Sequence, residues 1–503
     1  MSPQDTPASQ PAPAMGAGAV VAPRQDPSAL PPASAGDAAP AGERPAPPPA
    51  GSAMTPTDPL LAVRPTGPTP PCPVGGHKPV WCVALAVRLV TAAKLSIRSV
   101  PRVLAAVLGS LTGRVGDAPM SWTTVRCWLM RLGLYALLRP LPRADDWAYL
   151  IDHTVQIGTV KCFAVVGLRL SEWPDRCLRH GDLQLIALVP MEHSNAVAVQ
   201  RALEQAGRRT GSPRLIVSDQ GGDVLGGIDR YCRDHRRTVA TCDAAHKGAS
   251  QLRRSLEADG RWDGFVARLG QTKAKLQQTP LACCIGPRLR PKARFMNLAA
   301  PLRWARWCLR LLDRSLPEGE PLTERQRAVL EGIDREELEA RLGWLREYQG
   351  AVEEWSQWHE VIQVVVRQVR RHGIDRDTSA GLRRQLDVMD LKPSGRAVAE
   401  AMIGFVADQA WVARLGGERL IGSTEVLESL FGGLKGLQGQ QSESGVTGLM
   451  LVLGAMVWDW APEEIAEALE AVPWKAVEAW VEGQLGATVQ SQRRTLQAIF
   501  SDA

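Results

Sequence analysis

The chain has 503 residues, of which 45% are apolar, and at about 150 residues per domain that is room for roughly three domains with large cores. A small disulfide-stapled scaffold is excluded. Its ten cysteines form no CxxC pair, and Cys127, Cys162 and Cys308 fall inside apolar-periodic segments, so they read as reduced core residues of a cytoplasmic protein. The net charge of +6 is modest, and its distribution says more than its total, because the basic residues cluster.

Residues 1–78 read as a disordered Pro/Ala-rich tail. Twenty of the 37 prolines lie before residue 76, with Ala, Gly and Ser between them, too little apolar surface to offset chain entropy. The start, MSPQDTPASQPAP, lacks the basic region and apolar core of a secretory signal. Cys72, His77 and Cys82 leave one zinc ligand missing, at a spacing that matches no common site.

Residues 79–145 switch to helical periodicity and are strongly basic. Between Val80 and Arg143 nine Lys or Arg stand against Asp117 alone, nine minus one giving +8. SIRSVPRVLAAVLGSLTG and SWTTVRCWLMRLGLY predict two helices joined by a Gly/Pro turn, the second opening on Ser121 as cap. This is a helix-turn-helix pattern, with Thr123, Thr124, Arg126 and Arg131 as expected DNA contacts.

From 146 to 253 the period changes. WAYLIDHTVQI, KCFAVVGLRL and LQLIALVPM predict three adjacent strands, followed by a helix capped by Ser194, the strand RLIVSD, a second helix, and the strand RTVATCD. The fold class is α/β, a central sheet with helices on both faces. Residues 254–420 show no strand signal and predict a large all-helical segment whose Trp304 and Trp307 are expected in its core. Residues 421–440 predict one helix capped by Ser423 or Thr424. Residues 441–503 are helical, with Pro462 and Pro473 at helix starts, and the apolar run GLMLVLGAMVW is too short to span a bilayer.

Three acids punctuate these elements: Asp152 in the first strand, Asp219 after the fourth, and Glu428 on the helix at 421–440. Carboxylates gathered from distant segments are the hard oxygen ligands that two Mg²⁺ ions need against a phosphodiester. Glu425 is the rival third ligand. Lys435 follows Glu428 by seven residues, about two turns, on the same helix face.

The order of elements with these acids resembles the RNase H-like core of DDE transposases over roughly residues 90 to 450. Glu428 and Lys435 in ESLFGGLK are similar to the Glu-(6)-Lys half of the signature of bacterial insertion-sequence transposases, although its upstream Tyr and Arg are absent and Thr424 stands where the Arg would be. CDAAH, at 242–246, resembles the C/D-(2)-H motif of hAT and Transib-like transposases, which also carry a helical insertion between the second Asp and the Glu.

What the resemblance implies is a Mg²⁺-dependent DNA transposase, with Mn²⁺ as an alternative ion, in which Asp152, Asp219 and Glu428 bind the metals and His246 and Lys435 assist at the phosphate. Its partners would be double-stranded DNA, both transposon ends and target, and further copies of itself as a homodimer or higher oligomer. It would work in the bacterial cytoplasm at the nucleoid. Arg303 and Arg306, from a basic run with interleaved tryptophans, and Lys247, flanking the implied active site, are further expected DNA contacts. A non-catalytic DNA-binding protein derived from a transposase, and a metal-dependent structure-specific nuclease, stay open as alternatives.

Overall fold

The computed structural model describes residues 78–112, 120–157, 160–288, 295, 298–315, 323–413, 418–440, 447–486 and 489–501. The expected tail with Cys72 and His77, the turn at 113–119 and the basic residues Arg290, Lys292 and Arg294 lie outside them. The first helices are α1 (Val80–Thr91), α2 (Val100–Thr112) and α3 (Trp122–Leu138). Five strands follow: β1 (Trp147–Ile157), β2 (Val160–Arg169), β3 (Gln184–Met191), β4 (Leu215–Ser218) and β5 (Val239–Cys242). Helix α4 (Ala196–Thr210) lies between β3 and β4, and α5 (Gly222–Asp234) between β4 and β5.

The sheet order is β3-β2-β1-β4-β5, with β1 to β3 antiparallel and β4 and β5 parallel to β1. This is the mixed sheet with helices on both faces that the alternation of elements predicts. Side chains alternate along β1. Trp147, Tyr149 and Ile151 pack under α4 and α5 with Val199, Leu203, Val224, Ile228 and Tyr231. Ala148 and Leu150 face the opposite core, and Asp152 continues that series.

After β5 come α6 (Ala244–Asp259), α7 (Arg261–Leu276), α8 (Ala299–Asp313), α9 (Glu324–Glu331), α10 (Arg335–Leu342), α11 (Gln349–His372), α12 (Thr378–Asp387) and α13 (Pro393–Ala413). Their apolar faces close on one another around Trp262, Phe265 and Trp355, a core separate from both sheet faces. Trp304 belongs to it and donates from Nε1 to Cys284 O at 2.9 Å. Trp307, expected in the same core, is instead exposed, because it falls on the outer side of α8. The chain returns through a single antiparallel bridge, Ile374 with Leu420, entered from Gly373 in the left-handed region at φ +73°.

Last come α14 (Glu425–Gln438), α15 (Val452–Met456), α16 (Pro462–Ala471), α17 (Trp474–Leu485) and α18 (Val489–Ser501). Helices α14 to α16 share one core with α1, α2, α3 and the Ala148/Leu150 face of the sheet. Among the described residues no helix is long and apolar enough to cross a membrane.

Helix α3 begins as expected on Ser121, whose side chain accepts from Thr124 N at 3.1 Å. Beyond its first turns it is largely buried against α15, α16 and α17. A Cβ on Gly133 would stand 1.8 Å from Leu451 O, so the absence of a side chain is what lets the two backbones touch. One expected cap moves. Asn195, not Ser194, caps α4, its Oδ1 accepting from Val197 N and Ala198 N, because Ser194 is engaged at the sheet edge.

Candidate carboxylate site at the sheet edge

The register of β1 with β4 sets the first two acids side by side. Ile151 pairs with Ser218, so Asp152 and Asp219 each follow the last paired residues of neighbouring parallel strands. Asp152 accepts from His153 N at 2.6 Å, and Asp219 Oδ1 accepts from Gly221 N at 3.1 Å in a tight turn. Burial, then repulsion from Asp219 and more weakly from Glu428, pushes the Asp152 carboxyl up to about 7, against the opposing pull of His153 N–H and His246.

The third acid comes from α14, whose start is fixed by residues around β5. Thr241 Oγ1 donates to Ile421 O at 2.8 Å, Ala244 N to Gly422 O at 3.0 Å, and Cys242 N to Gln409 Oε1 at 2.9 Å. Asp243 is the centre of this junction. It is buried and accepts from Thr424 N (2.5 Å), Thr424 Oγ1 (3.1 Å) and His246 N (2.7 Å). Burial works to raise its carboxyl, but these donors and the His246 ring outweigh it and hold it below the usual range. Thr424 is the N-cap residue of α14, yet its hydroxyl serves Asp243, and Ser423 Oγ accepts from Glu425 N at 3.3 Å.

His246 Nδ1 stands 3.3 Å from Asp243 Oδ1 and 3.3 Å from Glu428 Oε1. The hydrogen bond it donates to Asp243 is the largest influence raising this imidazole to about 9; burial opposes it, and the charges of Asp243, Glu428 and Asp219 add to it. The ring is therefore a cation at neutral pH, with Nε2–H as its second donor. Burial pushes the Glu428 carboxyl up, His246 opposes this, and Asp243, Glu425 and Asp219 reinforce it. Glu425 turns elsewhere and pairs with Arg370 of α11 at 2.8 Å. Lys435 lies exposed two turns along the Glu428 face.

Asp152, Asp219 and Glu428 thus act electrostatically on one another with His246 as the nearby cation. Oxygen-only carboxylates near one another are a donor set suited to a hard divalent cation. Among the described residues, however, no three His, Cys, Asp or Glu side chains form a group that could hold a metal ion as they stand, and Glu428 is engaged with His246.

A second polar group at the same edge is not among the expected site residues. Ser194 Oγ donates to Asp223 Oδ2 at 2.5 Å, so its 2.9 Å contact with His153 Nε2 has the imidazole donating. Lys161 Nζ lies 3.6 Å from Asp223. The visible signal was Asp223, four residues after Asp219 at a helix start. Its partners are fixed only by strand pairing.

The expected DNA contacts divide. Thr123 and Thr124 sit with Ser121 in the open first turn of α3, their hydroxyls 2.6 and 2.9 Å from Ser121 Oγ. Arg98 and Arg126 flank exposed Trp122, with guanidinium carbons 5.0 and 5.9 Å from its ring centroid. Arg131 is engaged within the fold. It is half-buried and donates to Val472 O at 2.6 Å and to Leu469 O, closing the C-terminus of α16, because α3 is covered by the C-terminal helices. Lys247 Nζ lies 5.4 Å from the Phe405 ring centroid. Arg303 and Arg306 stand exposed on α8.

No family model matches the chain, and no curated protein matches it. Among solved structures it is similar to the Drosophila P element transposase strand transfer complex, at 12% identity and a TM-score of 0.32, over 76% of this chain and 92% of that one.

Proposed function

We propose that the chain is a DNA-cutting and strand-joining enzyme of the DDE transposase type. The observation that supports the reading is the register that sets Asp152 and Asp219 side by side where the pairing of β1 with β4 ends, with Glu428 held nearby by His246 and with burial and the charges of Asp219 and Glu428 raising Asp152 to about 7. The strand order 3-2-1-4-5 and the long helical segment between Asp219 and Glu428 support the RNase H-like arrangement with a helical insertion at 254–420.

In this reading Asp152, Asp219 and Glu428 would hold two Mg²⁺ or Mn²⁺ ions. When bound, such a pair supplies activation of water or a DNA 3′-hydroxyl and stabilisation of the leaving 3′-oxygen. The chain's own groups do the rest. His246, kept cationic by Asp243, orients Glu428 through Nδ1 and offers Nε2–H to a phosphate oxygen as negative charge develops. Lys435 offers a cation to the strand along the same face of α14. Tyr149 and Tyr231 are buried packing residues, so no covalent protein intermediate is invoked. Thr123, Thr124 and Arg126, with Arg98 and Trp122 beside them, would meet the transposon end, and Arg303, Arg306 and Lys247 the strand phosphates.

The test first looks for short inverted repeats flanking the gene, and then combines the purified chain, Mg²⁺ and DNA carrying them. Transfer of a pre-cut end to target DNA, lost in Asp152→Asn, Asp219→Asn and Glu428→Gln, supports strand joining. Hydrolysis without transfer favours the nuclease alternative. Sequence-specific binding with neither activity favours the non-catalytic one.

A further inference from the structure

Helix α11 presents Ser356, His359, Gln363 and Arg367 at helical spacing on one face, and α8 presents Arg303 and Arg306 towards it. Between them lies a cleft of about 240 Å³. That is smaller than the ~300 Å³ at which pockets for drug-sized ligands begin. Other arginines of the helical segment are paired: Arg261 with Asp259 and Glu354, Arg346 with Asp313 and Glu339, Arg370 with Glu425, Arg383 with Glu400. Arg303, Arg306 and Arg367 have no carboxylate ion pair among the described residues, although Glu360 stands on the same rim. The Ser356 hydroxyl donates to Val352 O at 2.6 Å, which leaves the guanidiniums, the Gln363 amide and the imidazole as donors to the cleft.

We propose that this cleft is a binding site for a phosphoryl group, held by Arg303, Arg306 and Arg367 with Gln363 and His359 completing the donor set. Three guanidiniums less one carboxylate leave a local charge of +2, the complement of a phosphomonoester dianion. The planar forks of arginine match phosphate oxygens in pairs. His359 reports the charge already present. Burial, then Arg306, Arg303 and Arg367, hold its imidazole below the ordinary value, with only Glu360 opposing. None of these residues belongs to the carboxylate site, but Arg303 and Arg306 are also the residues that the strand-joining reading sets against strand phosphates, so the test reads phosphate binding apart from DNA cutting and joining. The phosphoryl group could belong to a nucleic-acid strand or to a free phosphate compound.

The experiment titrates the full chain with inorganic phosphate at constant ionic strength, following the His359 imidazole resonance by NMR. The expected result is a saturable shift with an imidazole pKa that rises on binding. Arg306→Gln and Arg367→Gln should each weaken phosphate at least tenfold with circular dichroism unchanged. If a Gln variant fails to fold, Arg367→Lys keeps the charge, loses the paired geometry, and should still weaken binding. A single-stranded oligonucleotide that displaces phosphate assigns the site to a strand, and failure to displace it assigns the site to a free phosphoryl compound. A His359 resonance that moves with neither probe, or folded variants that bind phosphate as tightly as the parent, overturns the proposal.

Discussion

Asp243 and Thr424 are 181 residues apart in the chain, yet the buried Asp243 carboxylate accepts both the backbone N–H and the hydroxyl of Thr424. This contact starts α14 where Glu428 meets His246, one turn further on. It ties the sheet edge to the helix that follows the whole helical segment.

Replacing Asp243 by Ala should therefore cost about 3 kcal/mol, since it strands buried donors and removes a charged acceptor. In Asp243→Ala the His246 imidazole should also fall from about 9 towards its ordinary value, as its largest raising influence is gone. Denaturant unfolding and NMR titration of His246 check the two effects. An unchanged His246 titration would remove Asp243 from control of the imidazole.

Asp152 gives a pH prediction. Its carboxyl is raised to about 7 in the fold, so below its unfolded value it is protonated in both states and contributes nothing. Between that value and about 7 the unfolded chain gives up the proton more readily, so stability falls as pH rises, and the full penalty remains above 7. Asp152→Asn should stabilise the metal-free chain on the order of 2 kcal/mol at pH 8 and leave it unchanged near pH 3. Thermal unfolding across pH reads this, and equal stability at pH 8 would contradict the crowding of the acids.

The rival glutamates separate by partner. Glu425→Gln loses an exposed ion pair with Arg370, worth at most ~1 kcal/mol, and should keep DNA cutting. Glu428→Gln should abolish it. Activity surviving in Glu428→Gln but lost in Glu425→Gln would transfer the third carboxylate to Glu425.

Two basic residues of α3 should behave oppositely. Arg126→Ala should weaken binding to transposon-end DNA and reduce the salt slope by about 1, with little loss of stability. Arg131→Met leaves two carbonyls of α16 without their donor, so it should lower stability by about 2 kcal/mol with DNA affinity of the folded fraction unchanged. A salt slope that drops in Arg131→Met and stays constant in Arg126→Ala reverses this assignment.

Gly133→Ala should be among the most damaging single-methyl changes in the molecule. The added carbon meets the Leu451 backbone, which cannot rotate away, and a loss of at least ~3 kcal/mol or failure to fold is expected. Near-parental stability in chemical unfolding would mean that α3 and the Leu451 turn are not in contact.

Short-range patterns were legible in the sequence. β-branched and apolar runs mark all five strands, Ser121 marks the start of α3, and Pro462 and Pro473 mark the starts of α16 and α17. Asp152 inside the first strand and Asp219 just after the fourth stand out because periodicity and turn residues act within a few positions of each other. Partner choice was not legible. That Glu428 meets His246 while Glu425 meets Arg370, that Arg131 closes α16, and that Trp307 is exposed while Trp304 is buried all depend on which helix packs on which face. Burial and ion pairing join residues hundreds of positions apart, so only the folded chain determines them. The sequence by itself determined which elements form and which acids they carry, and the tertiary structure decided which of those charges lie near one another at the buried end of the β1–β4 pair.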